Sequence, residues 1–236
     1  MKTQLVVFDL AGTTVNDNKD VHRVLKKALA NFDVNISIED ANEVMGIPKP
    51  IAIEKLIRKR YHGSMDIISD WIKEIHELFV EEMIYFYRTD LSVAEKDGVS
   101  ETFKKLKAND IKVVVDTGFD RPITNAILQR MGWERNHLID ASVTSDEVLR
   151  GRPYPDMIFK AMELTSIRDI SKVAKVGDTV SDLQEGNSAG CGLVIGVTTG
   201  AFSKQELEKE EHTHLIKQIP EIMEILGLKS HLKVFH

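Results

Sequence analysis

Five short apolar runs constrain this fold more than any other feature of the chain. They occupy residues 5–8, 112–115, 138–143, 173–176 and 193–197. After the second run they alternate with amphipathic stretches over 122–131, 155–164 and 181–188, and another such stretch, 99–108, precedes it. Short apolar strands separated by amphipathic helices predict a parallel sheet covered by helices on both faces. The alternation is interrupted once, because residues 19–87 read as helical throughout. Val21, Val24, Leu25, Ala28, Leu29 and Phe32 fall on one helical stripe, as do Ile68, Trp71, Ile72, Ile75, Leu78 and Phe79. Two shorter helices are predicted over 38–45 and 51–61, and the polar segment 89–98 reads as the return linker. The predicted architecture is α/β, a doubly wound parallel sheet with an all-helical cap inserted after its first strand. Residues 1–16 and 92–236 would form the core and 17–91 the cap. A chain of 236 residues suits one core with such an insertion.

In a sheet of this kind, ligands bind beyond the carboxyl ends of the strands, and the polar motifs of this chain fall there. The first strand delivers Asp9 into the turn Leu10-Ala11-Gly12-Thr13-Thr14. An acid ending a buried strand is poorly placed for packing and well placed for chemistry. The second strand ends in Asp116-Thr117-Gly118, which reads either as a plain turn or as a hydroxyl and N–H groups for phosphate oxygens. Arg152, in Gly151-Arg152-Pro153-Tyr154-Pro155, reads as a solvated side chain or as a bidentate phosphoryl ligand. Pro155 suits the first turn of the helix that follows. Asp178 and Asp182, four apart, fit a Mg²⁺ site that also uses water; Asp182 alone fits equally well as a helix-start residue.

The order of these motifs resembles that of the haloacid dehalogenase superfamily over essentially the whole chain. The resemblance implies that Asp9 is a phosphoryl-accepting nucleophile. Most phosphatases of the superfamily have a general-acid aspartate two residues later, and here that position is Ala11. The alanine resembles the phosphonatase (phosphonoacetaldehyde hydrolase) branch, as do Val143-Thr144-Ser145-Asp146 through Pro155 and Met45-Gly46-Ile47-Pro48-Lys49. By that resemblance Lys49 is a Schiff-base lysine. A carbon–phosphorus bond would release a carbanion that a carboxylic acid cannot rescue, whereas an iminium lets the carbon leave as a neutral enamine. The resemblance further implies Mg²⁺ held by Asp9, the Ala11 carbonyl, Asp178 and Asp182. Thr117, Arg152 and the N–H groups of Gly12 and Gly118 would bind the phosphoryl oxygens. The chain departs from the branch in having Leu10 for tryptophan, Ala52 for histidine and Phe119 for tyrosine. Its eight histidines supply no evident replacement and are expected mostly at the surface.

Two rivals stay open: a phosphomonoesterase using Asp9 alone, and a degenerate member that binds phosphorylated ligands without turnover. The expected partner in either case is a small phosphonate or phosphate. A net charge of -6 argues against nucleic acid, and apolar runs shorter than the ~20 residues of a membrane span argue against a membrane. The apolar start is broken by Asp9, so it does not read as a signal peptide. With a single cysteine, Cys191, expected to be a small buried residue, a cytoplasmic protein is predicted. The helix over 71–87 offers a face for a homodimer through the cap.

Overall fold

Residues 2–62 and 65–228 are described by the structure, a computed structural model. The extremes of the two expected core segments, residue 1 and residues 229–236, lie outside the described residues. Strands β1 (Leu5–Asp9), β2 (Lys112–Thr117), β3 (Ala141–Thr144), β4 (Val173–Gly177), β5 (Leu193–Val197) and β6 (His214–Ile216) form one sheet. Their spatial order is β3-β2-β1-β4-β5-β6 and every pairing is parallel. Chain order reverses between β1 and β4, which makes their carboxyl ends a topological switch point. Side chains alternate across the sheet with period two. Leu5 and Val7 pack with Val114, Met157 and Ile158 on one face. Val6 and Phe8 pack with Val113, Val115 and Val176 on the other. Both faces of β1 are therefore dry, as expected of a central strand.

Helices α1 (Asp20–Ala30), α2 (Ile38–Asn42), α3 (Lys49–Arg60) and α4 (Met65–Thr89) follow β1, and α5 (Val99–Ala108) leads into β2. Beyond them α6 (Arg121–Met131), α7 (Asp156–Thr165) and α8 (Val180–Ala189) alternate with strands, and α9 (Lys204–Leu207) and α10 (Ile222–Ile225) flank β6. On α4, Ile68, Ile75, Phe79, Met83 and Tyr87 are buried within the chain, and Trp71 packs on Tyr61 with ring centroids 4.9 Å apart. The stripe considered for a dimer thus largely faces its own chain. Among the described residues, no helix is long and apolar enough to cross a membrane.

Several boundaries differ from the sequence reading for identifiable reasons. Helix α2 ends at Asn42 rather than 45, because Gly46 takes φ 82° and turns the chain. Helix α3 begins at Lys49 rather than 51, since Pro50 is tolerated in a first turn where N–H groups lack partners. Pro155 is the N-cap of α7, not a residue of its first turn. Strand β3 starts three residues late because Leu138 closes the turn after α6, donating to Trp133 O at 2.8 Å. The edge strand β6 has three residues, too few for an apolar pattern. Cys191 is half-buried, not buried; burial still pushes its thiol up to about 12, so it stays protonated.

Candidate active site

The turn after β1 is built from its own backbone. Thr13, Thr14 and Val15 all donate to Leu10 O, and the Thr14 hydroxyl donates to Asp9 O at 2.8 Å. Gly12 adopts φ 92°, and a Cβ there would lie 2.3 Å from Asp178 Oδ2. Its missing side chain lets the turn lie directly on Asp178. The N–H of Gly12 donates to Val15 O at 2.9 Å, so it is engaged within the turn and not held out for phosphoryl oxygens as expected. Asp178 accepts from the Thr13 hydroxyl at 2.7 Å and from the Ala201 N–H at 2.6 Å.

Asp9, Asp178 and Asp182 present carboxylate oxygens within 4.8 Å of one another, all buried. Burial raises Asp9 to about 8; Arg152 pulls it down, and the charges of Asp182 and Asp178 push it up. Burial and then Asp182 raise Asp178 to about 6. Three carboxylates crowded this closely fit a divalent cation, and their hard oxygens fit Mg²⁺. Asp182 serves in addition as the helix-start residue anticipated: it forms a capping box with Thr179 at the start of α8.

Arg152 is buried, contrary to a solvated reading. Its Nη1 donates to Asp9 Oδ1 at 2.7 Å, its Nε to Glu185 at 3.0 Å, and its Nη2 to Asp116 Oδ1 at 2.5 Å. Every guanidinium nitrogen is engaged, so a bidentate grip on a phosphoryl group would compete with these carboxylates. Lys175, from the middle of β4, joins the same network at 2.5 Å from Asp116 and 2.8 Å from Glu185. Glu185, buried and close to the Asp116 charge, is pushed up to about 8. Removing one cation from such a set leaves an uncompensated charge. Lys175→Met is expected to cost about 3 kcal/mol or more of folding stability, read as a lower urea midpoint at unchanged slope.

The segment 45–49 brings Lys49 over these groups. A Cβ on Gly118 would lie 2.7 Å from Gly46 O and 2.9 Å from Ile47 O, so backbone meets backbone where the insertion crosses β2. Gly118→Ala is expected to lift this segment and cost about 1–3 kcal/mol, measurable in the same urea titration. Lys49 is buried at the first position of α3. Its Nζ lies 5.3 Å from the Phe119 ring centroid and 3.4 Å from Ile47 O. Burial lowers its ammonium from 10.5 to about 8, outweighing the attraction of Asp9. Asp9, Ala11, Lys49, Thr117, Gly118 and Arg152 all line one cavity of about 30 Å³, space for little more than a water-sized group. Gly12, Asp178 and Asp182 do not line it. The Thr117 hydroxyl oxygen accepts from the Phe119 N–H at 3.2 Å.

Five polar residues near this cavity escaped the sequence reading. Asp116 and Glu185 were hidden beside stronger motif residues. Lys175 had a signal, a charge between Ala174 and Val176 in an apolar strand. Asp17 lines the cavity, and His22 is buried beside it at 1% exposure, not at the surface. His22 also had a signal, since it falls on the α1 stripe three residues before Leu25 and seven before Leu29.

Comparison with known proteins gives this geometry a context. Residues 6–197 match the family described as haloacid dehalogenase-like hydrolase. A phosphonoacetaldehyde hydrolase of Bacillus cereus (strain G9842) is 32% identical over 233 residues, covering 93% of this chain and 86% of its own. The crystal structure of a phosphonoacetaldehyde hydrolase-like protein from Oleispira antarctica superposes with a TM-score of 0.83 at 19% identity, covering 96% and 92% of the two chains. A predicted phosphatase from Clostridium acetobutylicum gives 0.76 at 22% identity, covering 97% and 100%. At these identities the two structures speak for the fold alone.

Proposed function

This chain belongs to the haloacid dehalogenase-like hydrolase family and its phosphonatase-like branch, and we propose that it cleaves the carbon–phosphorus bond of phosphonoacetaldehyde or a related carbonyl phosphonate. The observation that carries this reading is Lys49, a buried lysine lowered to about 8, sharing a small cavity with Asp9 and with Ala11. An amine made available near neutral pH is what condensation with a carbonyl needs. The alanine removes the acid that an alkoxide leaving group would call for. Lys49 would condense with the carbonyl, and Asp9 would attack phosphorus and carry the phosphoryl group until water removes it. Arg152, bonded to Asp9 Oδ1, would orient that nucleophile, and the Thr117 hydroxyl would face the phosphoryl oxygens. Mg²⁺ would be held by Asp9, the Ala11 carbonyl, Asp178 and Asp182, and when bound it supplies neutralising charge for the phosphoryl group. The small cavity requires the helical insertion, for which we propose the limits 17–91, to move aside for substrate.

The test follows acetaldehyde and phosphate together from phosphonoacetaldehyde with Mg²⁺, with borohydride in a parallel sample. Equimolar release with the reduced adduct on Lys49 is expected. Absence of both acetaldehyde and adduct would sink the reading. A phosphomonoesterase is the second reading, favoured by Phe119 and Ala52, two buried apolar side chains where the resembled branch has polar ones. Turnover of phosphomonoesters alone would establish it.

A further inference from the structure

Cleavage through a Lys49 imine leaves an enamine whose carbon must take up a proton, and the cavity offers few sources. Asp9 then carries the phosphoryl group and has no proton to give. Lys49 is itself the enamine nitrogen, Arg152 stays charged, and Phe119 has no hydroxyl. Among the described residues, the remaining ionisable side chain lining the cavity is Asp17.

Asp17 sits in the turn before α1. Its Oδ1 accepts the N–H groups of Asp20 at 2.6 Å and Val21 at 3.3 Å, which leaves Oδ2 uncommitted. That oxygen lies 4.0 Å from His22 Nδ1. The other ring nitrogen, Nε2, is 2.9 Å from Asn42 Oδ1. With the Asn42 oxygen facing the ring, Nε2 carries the hydrogen and Nδ1 presents a lone pair. Nδ1 is buried with no hydrogen-bond partner among the described residues. A lone pair and a carboxylate oxygen facing each other can share one proton, passed directly after a small ring shift or through a water. Burial raises Asp17 and lowers His22, and both directions favour the proton on the carboxyl side. The charges of Lys49 and Lys19 both disfavour the imidazolium form of His22.

Resting on the Lys49 imine proposed above, we infer that Asp17 is the acid–base group of that imine and that His22 positions its proton. The Asp17 carboxyl protonates the enamine carbon, and the C–H electron pair comes from the enamine double bond. This gives the iminium and the Asp17 carboxylate. Water then hydrolyses the iminium to acetaldehyde and free Lys49, releasing one proton, which returns to Asp17. The proton balance closes without another reactant.

Run in reverse, the step exchanges the methyl hydrogens of acetaldehyde with solvent. The full-length protein is incubated with acetaldehyde in D₂O and followed by proton NMR, with borohydride trapping in parallel. Wild-type protein is expected to exchange the methyl group and to yield the reduced adduct on Lys49. Asp17→Asn, whose amide oxygen can still cap α1, is expected to keep trapping while exchange falls about 100-fold. His22→Gln is expected to keep trapping with exchange down about tenfold. Undiminished exchange in Asp17→Asn would overturn the inference. So would a parallel loss of trapping and exchange, which would make Asp17 a shaping residue only. Wild-type protein with neither adduct nor exchange would overturn the Lys49 imine itself, and this inference with it.

Discussion

Arginine in place of Lys49 is expected to end acetaldehyde release from phosphonoacetaldehyde, with kcat/KM down about 10⁴-fold. The substitution keeps the positive charge near Asp9 and removes the capacity to condense with a carbonyl. A guanidinium does not deprotonate in a protein, whereas burial has already brought the Lys49 ammonium down to about 8. The sign of the pH dependence follows from that value. The reactive amine is the neutral form, so wild-type condensation rises with pH up to about 8 and levels off above it. The variant has no such limb. Borohydride separates the two proteins independently of turnover, since only a lysine amine gives the reduced adduct. If Lys49→Arg kept most of its activity toward phosphonoacetaldehyde, the imine would be wrong and the lysine would serve only as charge.

Backbone pattern was far easier to read here than side-chain partnership. The strands around Asp9, Thr117 and Asp178 announce themselves because both faces of β1, β2 and β4 are buried, which forces continuous apolar runs. Lys49 was singled out by the resemblance of Met45-Gly46-Ile47-Pro48-Lys49 to the phosphonatase branch, with the missing acid at Ala11 adding weight, and neither needs a contact map. The partners of Arg152 could not be found that way. Asp116 and Glu185 come to it from β2 and α8, separated by 36 and 33 residues, and no local spacing encodes that meeting. The same holds for the contact of Gly118 with the backbone of Gly46 and Ile47, where the missing side chain of Gly118 permits a crossing between segments far apart in sequence. His22 is an exception to the general expectation that the histidines lie mostly at the surface. Its position on the apolar stripe of α1 outweighed its polarity, and the Asn42 amide accounts for only one of its two ring nitrogens.

Asparagine in place of Asp9 is expected to reduce turnover of any phosphoryl substrate about 10⁴-fold or more and to abolish the covalent phosphoryl-enzyme. An amide oxygen is a far weaker nucleophile than a carboxylate, while the shape of the side chain is unchanged. The amide can still accept the Arg152 Nη1 hydrogen bond now made at 2.7 Å, so the buried network should survive. It removes one of three mutually repelling acids, and the metal-free variant is therefore expected to unfold at a urea concentration no lower than wild type. Mg²⁺ should stabilise the variant less than the parent, because stabilisation by a bound ion scales with its affinity for the folded state. Folding, cation binding and chemistry thus move in different directions in one protein. A variant that lost activity only by unfolding would show the opposite of the first. If Asp9→Asn bound a phosphate analogue like the parent and neither protein formed a phosphoryl-enzyme, Asp9 would not be a nucleophile. The degenerate, non-catalytic reading would then hold despite the arrangement of the site.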